Sequence, residues 1–363
     1  MHITLDTKDF KQVLDVVSRV STKHLTLPVL QCVLLEVKEG TLFIRANNLE
    51  IGIEGSLKVV EEEAGVVAVP AQVLLQTINL ITQSSITLST EGDVLHIESK
   101  SSKTELKTIP ADEFPSIPKQ AGNPITIQGA LFALGVKTTA FTASQSSIKP
   151  ELGSVYIYQK KEHSLTFVAT DSFRLMEKTV PQKNISLTDP ILIPSKNALE
   201  LARVAELTQG EIVMYVSENQ CALSVDNIYI TSRLVSGVFP DYEQIIPKEY
   251  KSNITLLTKD FTQALKKTSI FLNKFMQLTL TISGGTFTLS AQSGDSGATT
   301  ESIPASIEGE DLTLNFNQRY IHEVVPHIND ESMLLKCAGI GRPMVIENVH
   351  DKSLRYLVMP MNK

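Results

Sequence analysis

Residues 4–14 read Thr-Leu-Asp-Thr-Lys-Asp-Phe-Lys-Gln-Val-Leu, and residues 255–265 read Thr-Leu-Leu-Thr-Lys-Asp-Phe-Thr-Gln-Ala-Leu. Eight of the eleven positions are identical at an offset of 251 residues. Both stretches are typical of helix starts, with Thr7 and Thr258 as N-caps and an Asp in the first turn. Capping does not account for the shared Leu, Lys, Phe and Gln. The match therefore indicates an internal repeat.

Half of this offset predicts a middle copy. The segments 114–119 and 239–248 share a Phe-Pro that is followed by Ile-Pro-Lys, and they lie about 125 residues apart. Three units of this length each have the usual size of a domain. We therefore predict domains at residues 1–121, 122–249 and 250–363.

Each predicted unit contains the same succession of elements. A helix comes first, at 7–20, 128–143 and 258–272, and a hairpin follows, such as the one that turns at Glu39-Gly40. A second helix begins after Pro70, after Pro194 or at an Asn317 N-cap, and another hairpin follows it. Helices mixed with antiparallel strands predict an α+β fold in which the helices cover sheets.

The composition is typical of a soluble protein with a core, since 42% of the residues are hydrophobic and 20% are charged. No stretch approaches the length of an apolar spanning helix, and the N-terminus has no export pattern. Cys32, Cys221 and Cys337 lack metal-ligand spacing. We therefore expect buried thiols in a reducing cytoplasm, and neither a zinc site nor a membrane partner.

The net charge of −7 argues at first against a nucleic-acid partner, but the charge is unevenly distributed. The six predicted helices together carry +4, and the remainder of the chain carries −11. Two interpretations stay open. The helices have ordinary solvated faces beside acidic loops, or they form a surface that contacts a polyanion. Without a large basic patch, such contact would be loose and sensitive to salt.

No motif in the sequence predicts catalysis. The chain lacks a Gly-rich phosphate loop, Gly-x-Ser-x-Gly and His-Glu-x-x-His. Asp171 beside Arg174 could act as a base, but a turn in which Asp171 accepts backbone N–H groups is the favoured alternative. We therefore predict a protein that is not an enzyme, with no catalytic residue, metal site or cofactor.

Four segments have no ready structural explanation: Thr26–Leu30, Ala169–Leu175, Phe239–Tyr242 and Tyr356–Met361. In this order, and with the threefold repeat, the whole chain resembles the bacterial DNA sliding clamps, which are the beta subunits of DNA polymerase III. The resemblance implies an α+β fold of three tandem DNA-clamp domains. Each domain would have two helices packed on two antiparallel four-stranded sheets, and one chain would form half of a closed ring.

The resemblance also implies a homodimer that encircles double-stranded DNA. A domain of this size behaves as a sphere roughly 35 Å across, and six such spheres in a ring leave a hole of about that width. Three spheres leave only ~5 Å, which is too narrow for a duplex. Such a ring would slide without sequence specificity and act as a processivity factor, because it tethers the polymerase at a high effective concentration.

The implied partners are the replicative polymerase catalytic subunit, the clamp loader complex and other proteins that carry a clamp-binding motif. They would insert a short peptide into an apolar pocket between the second and third domains, where methionines repack easily. The pocket positions of the family fall on Leu152, Thr170, Ser172, Phe173, Arg174, Leu175, Pro240, Gln244, Ile245, Tyr320, Pro343, Met344, Leu357, Met359, Pro360 and Met361. The terminal methionines could also belong to an edge strand of the third sheet.

Other positions follow from the same resemblance. The dimer interface would place Leu106 and Ile109 of one chain against Ile270 and Phe271 of the other. The location would be cytoplasmic, at the nucleoid during replication. The DNA-facing residues would be Lys23, His24, Lys137, Lys149, Lys196, Arg203, Lys266, Lys267 and Lys274.

The chain departs from the family at several of these positions. It has Ser172-Phe173 where the family usually has Gly followed by His or Tyr, and it has Gln244 and Asn362 where the family often has Arg. His24 replaces a loop Arg, and His is mostly neutral at cytoplasmic pH. These changes remove positive charge from the pocket rim and from one DNA contact.

Three classes of function remain to be distinguished. A clamp predicts a dimer that is retained on circular DNA and lost when that DNA is cut. A generic repeat protein that binds partners predicts no dependence on DNA ends. An enzyme predicts turnover and a polar pocket instead of an apolar one.

Overall fold

The computed structural model describes residues 1–22, 26–119, 122–183, 185 and 187–361. The α-helices in these residues are α1 (Thr7–Ser18), α2 (Ala71–Leu80), α3 (Gly129–Thr139), α4 (Ser195–Ala205), α5 (Thr258–Thr268) and α6 (Gln318–Val324). Short 3-10 helices lie at Pro28–Gln31, Ala140–Thr142, Tyr242–Ile245, Ser269–Phe271 and Val325–His327.

The strands follow the same threefold order along the chain. In the first third they are β1 (His2–Asp6), β2 (Cys32–Lys38), β3 (Thr41–Asn47), β4 (Ile51–Lys58), β5 (Val60–Glu63), β6 (Gly65–Pro70), β7 (Ser85–Glu91), β8 (Val94–Glu98) and β9 (Lys103–Lys107). In the second third they are β10 (Asn123–Gln128), β11 (Ser154–Tyr158), β12 (Ser164–Thr170), β13 (Arg174–Pro181), β14 (Ile191–Pro194), β15 (Glu211–Val216), β16 (Gln220–Val225) and β17 (Ile228–Arg233). In the last third they are β18 (Ser252–Leu257), β19 (Gln277–Ser283), β20 (Thr286–Ser293), β21 (Gly297–Ile303), β22 (Ala305–Gly309), β23 (Leu312–Asn317), β24 (Ser332–Cys337), β25 (Met344–Asn348) and β26 (Leu354–Val358).

The described chain divides into two compact units. Unit 1 contains Met1–Ala133 and Lys196–Leu234, and unit 2 contains Leu134–Ser195 and the chain from Val235 onward. The middle third therefore contributes to both units. None of the helices in the described ranges has the length and apolar character needed to cross a membrane.

Each unit contains two antiparallel sheets. In unit 1 the strand orders are β5-β1-β7-β8-β9 and β10-β15-β16-β17-β4-β3-β2-β6. In unit 2 they are β14-β11-β12-β13-β26-β25-β24-β18-β22 and β21-β20-β19-β23. The basic element is a group of four strands that recurs in each third. The groups join where β17 pairs with β4 and where β26 pairs with β13, while β5 and β22 add an outer strand to two groups.

These sheets confirm the predicted fold class and the predicted hairpins. The β2–β3 turn has Glu39 at φ 52° and Gly40 at φ 67°, and the β19–β20 turn has Gly284 and Gly285 at φ 53° and 76°. Two successive positive φ values match the right-handed twist of a two-residue hairpin. The turn residues therefore set the register of both hairpins.

The repeated sequence forms a strand followed by a helix, and its identical apolar residues face the core. Phe10 and Leu14 of α1 are fully buried, and so are Phe261 and Leu265 of α5. Residues spaced by four lie on one face of a helix, so the shared Phe and Leu attach each helix to its sheet. This packing explains why these residues are identical in the two copies.

The predicted caps at Thr7 and Thr258 are wrong by one position. Asp6 caps α1 by accepting hydrogen bonds from the N–H groups of Lys8 and Asp9, and α5 has no side-chain cap. The N–H of Thr7 instead donates to Ser84 O, and that of Thr258 donates to Glu331 O, both at 2.9 Å. A neighbouring turn therefore accepts one of the N–H groups that the start of each helix leaves without an intrahelical partner.

Two smaller predictions are confirmed. Asn317 caps α6, with its side chain accepting from the N–H of Arg319 at 3.0 Å. The three cysteines are free and buried, and burial raises the pKa of Cys32 to about 11 and that of Cys221 and Cys337 to about 12. Such thiols remain protonated at neutral pH and pack as small apolar groups.

Candidate partner-binding, DNA-facing and dimer sites

The predicted pocket positions lie in unit 2, in and around the junction of β13 with β26. Six of them are buried: Leu152, Thr170, Arg174, Leu175, Met344 and Leu357. Six others are exposed: Ser172, Phe173, Pro240, Gln244, Ile245 and Met359. The remaining four are intermediate: Tyr320, Pro343, Pro360 and Met361. The structure thus combines buried apolar residues with an exposed, mostly uncharged rim.

A tight turn between β12 and β13 presents Phe173 to solvent. Asp171 Oδ1 accepts from the N–H groups of Phe173 and Arg174 at 2.9 and 3.0 Å, which confirms the turn interpretation of Asp171. Thr170 Oγ1 donates to Arg174 O at 2.6 Å, and Ser172 has a φ of 77°. The turn leaves the Phe173 side chain 61% exposed. A large apolar side chain is therefore held in water by a well-bonded backbone.

The same turn occurs in unit 1, between β3 and β4. Asn48 Oδ1 accepts from the N–H groups of Glu50 and Ile51 at 3.1 and 2.9 Å. Leu49 has a φ of 76°, as Ser172 has 77°. The offset of 123 residues between Asn48 and Asp171 is the sequence signal for this equivalence.

Arg174 is enclosed instead of lying on the rim. Its Nε donates to Asp171 Oδ2 at 3.0 Å, its Nη2 donates to Phe141 O at 3.0 Å, and its Nη1 donates to Glu323. The guanidinium also lies over the ring of Tyr320, 4.5 Å from its centroid. The side chain is only 6% exposed. Arg174 therefore holds strand and helix in place, and its charge is already balanced inside the protein.

Glu323 completes this arrangement, and no motif in the sequence predicted its role. Burial alone would raise the pKa of its carboxyl group, but hydrogen bonds from Arg319 and Arg174 hold that pKa below its usual value. Arg319 Nε donates to Glu323 Oε1 at 2.7 Å. A carboxylate between two guanidinium groups remains ionised, so it fixes Arg174 against α6 at neutral pH.

The terminal methionines follow a central strand, so the prediction of an edge strand is wrong. β26 lies between β13 and β25 and ends at Val358. The N–H of Met359 donates to Phe173 O at 2.8 Å, and the N–H of Met361 donates to Asn315 O at 2.7 Å. Met359 therefore lies beside Phe173 and Arg174, where strand pairing continues by one bond past the end of β26.

Three of the buried pocket positions lie in two apolar clusters. Leu175 and Leu357 are direct partners across the β13–β26 pair and pack in a cluster with Phe239. Met344 belongs to the larger core of the last third, against which Tyr320 packs. Leu175, Leu357 and Met344 thus lie at one junction, with the two leucines in one cluster and the methionine in the other.

A second network fixes the segment Phe239–Tyr242, which carries Pro240. The ring of Phe239 stacks on Tyr156 with centroids 4.6 Å apart. The Tyr242 hydroxyl donates to the buried Glu177, and burial together with this carboxylate raises the pKa of Tyr242. Lys160 Nζ lies 3.3 Å from the same carboxylate. Phe239–Tyr242 is therefore held by ring stacking and by a buried hydrogen bond, which a simple linker would not need.

Gln244 and Ile245 lie in the 3-10 helix Tyr242–Ile245. Gln244 Nε2 donates to Asp241 Oδ2 at 2.7 Å, and the Ile245 side chain is 52% exposed. The rim at this point therefore consists of the Gln244 amide, which is already hydrogen-bonded to Asp241, and the exposed side chain of Ile245. Neither residue contributes a positive charge.

The predicted DNA-facing residues are dispersed cations. Lys266, Lys267 and Lys274 are exposed on α5 or shortly after it, and Lys267 Nζ lies 2.7 Å from Glu301. Lys137, Lys149 and Lys196 are also exposed, while the exposed Arg203 is paired with Glu200. Lys23 and His24 lie outside the described residues. Among the described members of this set, the exposed cations are distributed over several elements of both units.

The predicted dimer residues lie at two sheet edges. Leu106 belongs to β9, the last strand of its sheet, and Ile109 bridges to Ala68 just beyond it. Ile270 and Phe271 form part of the 3-10 helix Ser269–Phe271, and Ile270 is 68% exposed. Leu106 is largely buried in its own unit, so Ile270 is the more accessible member of this set.

The fold defines a class of protein: a chain of three tandem α+β clamp domains. Three family models match it in sequence order: the N-terminal, central and C-terminal domains of the DNA polymerase III beta subunit, at residues 1–118, 126–241 and 243–362. The chain belongs to the DNA polymerase III beta subunit family.

Individual relatives agree over their whole length. The beta sliding clamp of Vibrio cholerae is 26% identical over 365 residues, which cover 99% of this chain and 100% of that protein. The crystal structure of the beta subunit from Thermotoga maritima matches with a TM-score of 0.94 and 26% identity, covering 100% of this chain and 99% of that one. A sliding clamp from Pseudomonas aeruginosa, bound to griselimycin, matches with a TM-score of 0.92, 26% identity and full coverage of both chains.

Proposed function

We propose that this protein is a DNA polymerase processivity factor. Two copies form a closed ring around duplex DNA, slide without reading sequence and tether the replicative polymerase. The observation that carries this proposal is the full-length match to all three clamp domains in their order. We place the domains at residues 1–121, 122–249 and 250–363. The chain acts by topology and tethering and performs no catalysis.

Two unpaired sheet edges support ring closure. β4 pairs with β17 and β13 pairs with β26, and the strands equivalent to these in the repeat are β21 and β9. Each of those two has a partner on only one side in the described residues. An open edge readily accepts a strand of another chain. We assign β9 of one copy to β21 of the other, and a two-fold axis makes this contact twice.

The side chains at these edges fit such a contact. Ile270 is exposed beside β21, and its burial against the Leu106–Ile109 edge would remove apolar area from water. The β9 strand carries Lys103, Glu105 and Lys107 and is positive on balance, and β21 carries Glu301. Opposite charges on facing edges favour one register over others.

The distributed cations support loose contact with DNA. Lys266 and Lys274 lie exposed in the helix-rich part of the last domain, and Lys149 and Lys196 are exposed in the middle one. Scattered lysines neutralise few phosphates, so binding is weak and falls with salt. A ring needs no tighter hold, because it is retained by encirclement.

The β13–β26 junction supports a peptide-binding role. Phe173, Ile245 and Met359 present exposed apolar surface around buried Leu175 and Leu357. Exposed apolar side chains that surround a preformed turn are typical of partner sites. The partners are the polymerase catalytic subunit, a clamp loader complex and other proteins with a clamp-binding peptide. They act with this protein at the nucleoid, in the cytoplasm.

The decisive experiment loads the protein, with its clamp loader and ATP, onto nicked circular DNA and then linearises that DNA. Gel filtration should show protein retained on the circle and released after cutting, because a ring slides off a free end. Linear DNA blocked at both ends by a bound protein is the matched control and should retain the ring. Retention unchanged by cutting would refute encirclement.

A further inference from the structure

Unit 1 contains a trough to which the predicted clamp sites contribute one residue, the DNA-facing Arg203. It has a volume of about 770 Å³ and lies between α1 and α4, above the junction of β4 with β17. Sites for small organic ligands have volumes of roughly 300–1,000 Å³. Val16 and Leu57 line it as half-buried residues, and Leu207 is 48% exposed there. The trough therefore offers apolar walls of a suitable size.

In unit 2, aromatic side chains fill the equivalent space over the β13–β26 junction. Ile230 pairs with Ile53 in unit 1 at the position where Tyr356 pairs with Met176 in unit 2. Phe141 stacks on Tyr356, with ring centroids 6.2 Å apart. Phe141 also stacks on His327 with centroids 4.8 Å apart and an interplanar angle of 5°. Three stacked rings thus cover the sheet of unit 2.

Smaller or more polar residues replace those rings in unit 1. Counting from the helix starts, Arg19 of the first third corresponds to Phe141, and Val204 corresponds to His327. Arg19 is exposed and its guanidinium bonds to Asp15 Oδ2 at 2.5 Å, so it leaves the sheet uncovered. The trough exists because the first junction lacks the aromatic stack of the second.

The charges of the lining favour a cation. Arg19 is paired with Asp15, and Arg203 with Glu200, so these two arginines are already neutralised on their own helices. Arginines in such pairs are poor receptors for an additional anion, because binding would first have to break the pair.

The remaining ionic groups are two carboxylates and one amine. Asp9 and Asp226 line the trough without an ion-pair partner among the residues that the structure describes. Lys11 Nζ donates to the carbonyl oxygens of Ile81 and Asn79 at 2.6 and 3.3 Å, which directs it to the end of α2. Four carboxylates against three cations leave the lining with a net charge of −1.

We propose that the trough between α1 and α4 binds an organic cation with an apolar body, such as an aromatic amine. The apolar part lies against Val16, Leu57 and Leu207, and the ammonium group faces Asp226 and Asp9. Ligand binding at this site requires neither ring closure nor a partner peptide. Its failure would therefore leave the proposed clamp function untouched.

The test titrates the full-length protein with tryptamine and with indole-3-acetate, which share an indole ring and have opposite charges. Ligand-observed NMR should show tryptamine binding with a dissociation constant about tenfold lower than that of indole-3-acetate. Val204→Phe places an aromatic ring in the trough and should abolish tryptamine binding. Val73→Phe, at an exposed position on α2 outside the lining, should leave it unchanged.

Asp226→Lys keeps the experiment decisive if Val204→Phe does not fold, because Asp226 is exposed in a turn. The substitution should weaken tryptamine binding about tenfold and improve that of indole-3-acetate. Equal affinity for the two ligands, a tryptamine affinity that Asp226→Lys leaves unchanged, or tryptamine binding that survives a folded Val204→Phe, would overturn the proposal. Absence of tryptamine binding to the unaltered protein would overturn it as well.

Discussion

The backbone N–H of Met359 donates a 2.8 Å hydrogen bond to the carbonyl oxygen of Phe173. The N–H of Arg233 makes the equivalent bond to Glu50 O at 2.9 Å in unit 1. The backbone of the junction is thus built twice, while its side chains differ: Phe and Met at the second junction, Glu and Arg at the first. Because the scaffold is shared, the apolar character of the second site comes from side chains alone. This contrast is the reason that we propose the peptide site at the second junction and not at the first.

Removing the carboxylate behind Arg174 should destabilise unit 2. Glu323→Gln replaces a charge-assisted bond to a buried guanidinium with a neutral one, and we expect a loss of about 2 kcal/mol in the free energy of unfolding. Urea unfolding followed by circular dichroism measures this loss. Glu308→Gln, at an exposed carboxylate without an ion pair in the described chain, is the matched control and should cost nothing measurable.

The same pair predicts a pH dependence. The folded pKa of Glu323 is held below its ordinary value of 4.5, so its stabilising contribution is complete above that value and is lost as the pH falls through the lowered pKa. The difference in stability between the unaltered protein and Glu323→Gln should therefore be constant at neutral pH and shrink in acid. A difference in stability that widens as the pH falls below 4.5 would contradict the assignment of Glu323 as the ionised partner of Arg174.

Ser172 has a positive φ where a glycine would be unstrained. A φ of 77° costs a residue with a Cβ about 1 kcal/mol, so Ser172→Gly should raise the thermal midpoint by a small but measurable amount. Ser296→Gly, in an exposed turn without positive φ, should not raise it, because there glycine only adds entropy to the unfolded chain. Equal effects at both positions would show that the turn is not strained.

The elements that sequence analysis located correctly are those that local patterns encode. The repeat, the Glu39-Gly40 hairpin, the Asn317 cap and the Asp171 turn all depend on residues within a few positions of each other. The sequence did not reveal the bond between Arg174 and Glu323, which are 149 residues apart. Pairing at that distance is decided by the tertiary fold, and many carboxylates in the sequence are equally plausible partners.

The incorrect predictions also have a tertiary cause. Thr7 is the first helical residue after the Asp6 cap, and Ser84 O, from a turn 77 residues later, accepts its N–H. The strand that ends at Val358 became central instead of peripheral because β13 of the preceding domain pairs with it. Local sequence specifies the strand, but the neighbour on its second side comes from another domain. The open trough is equally invisible, since only the missing aromatic stack creates it.

Truncating the chain after Val358 should remove partner binding and preserve the fold. β26 is complete at Val358, and its pairs with β13 and β25 do not involve residues 359–363. The truncated chain should remain dimeric by sedimentation and lose at least about tenfold in affinity for a fluorescent partner peptide, measured by anisotropy. Met276→Ala, at an exposed methionine outside the pocket, is the control and should bind normally. A monomeric truncation product would refute the separation of these two roles.

Ile270→Asp should separate the two copies. The side chain is 68% exposed in the single chain, so the substitution has little effect on the folded protomer. In the proposed ring it would bury an unpaired carboxylate beside the β9–β21 contact, which costs several kcal/mol at each of the two interfaces. Sedimentation velocity should therefore show a monomer at concentrations where the unaltered protein is a dimer. Ile340→Asp tests surface charge alone, because Ile340 is 78% exposed in the turn between β24 and β25, and it should remain dimeric. A dimeric Ile270→Asp protein would place the contact elsewhere, while dissociation of both variants would show a general effect of added negative charge.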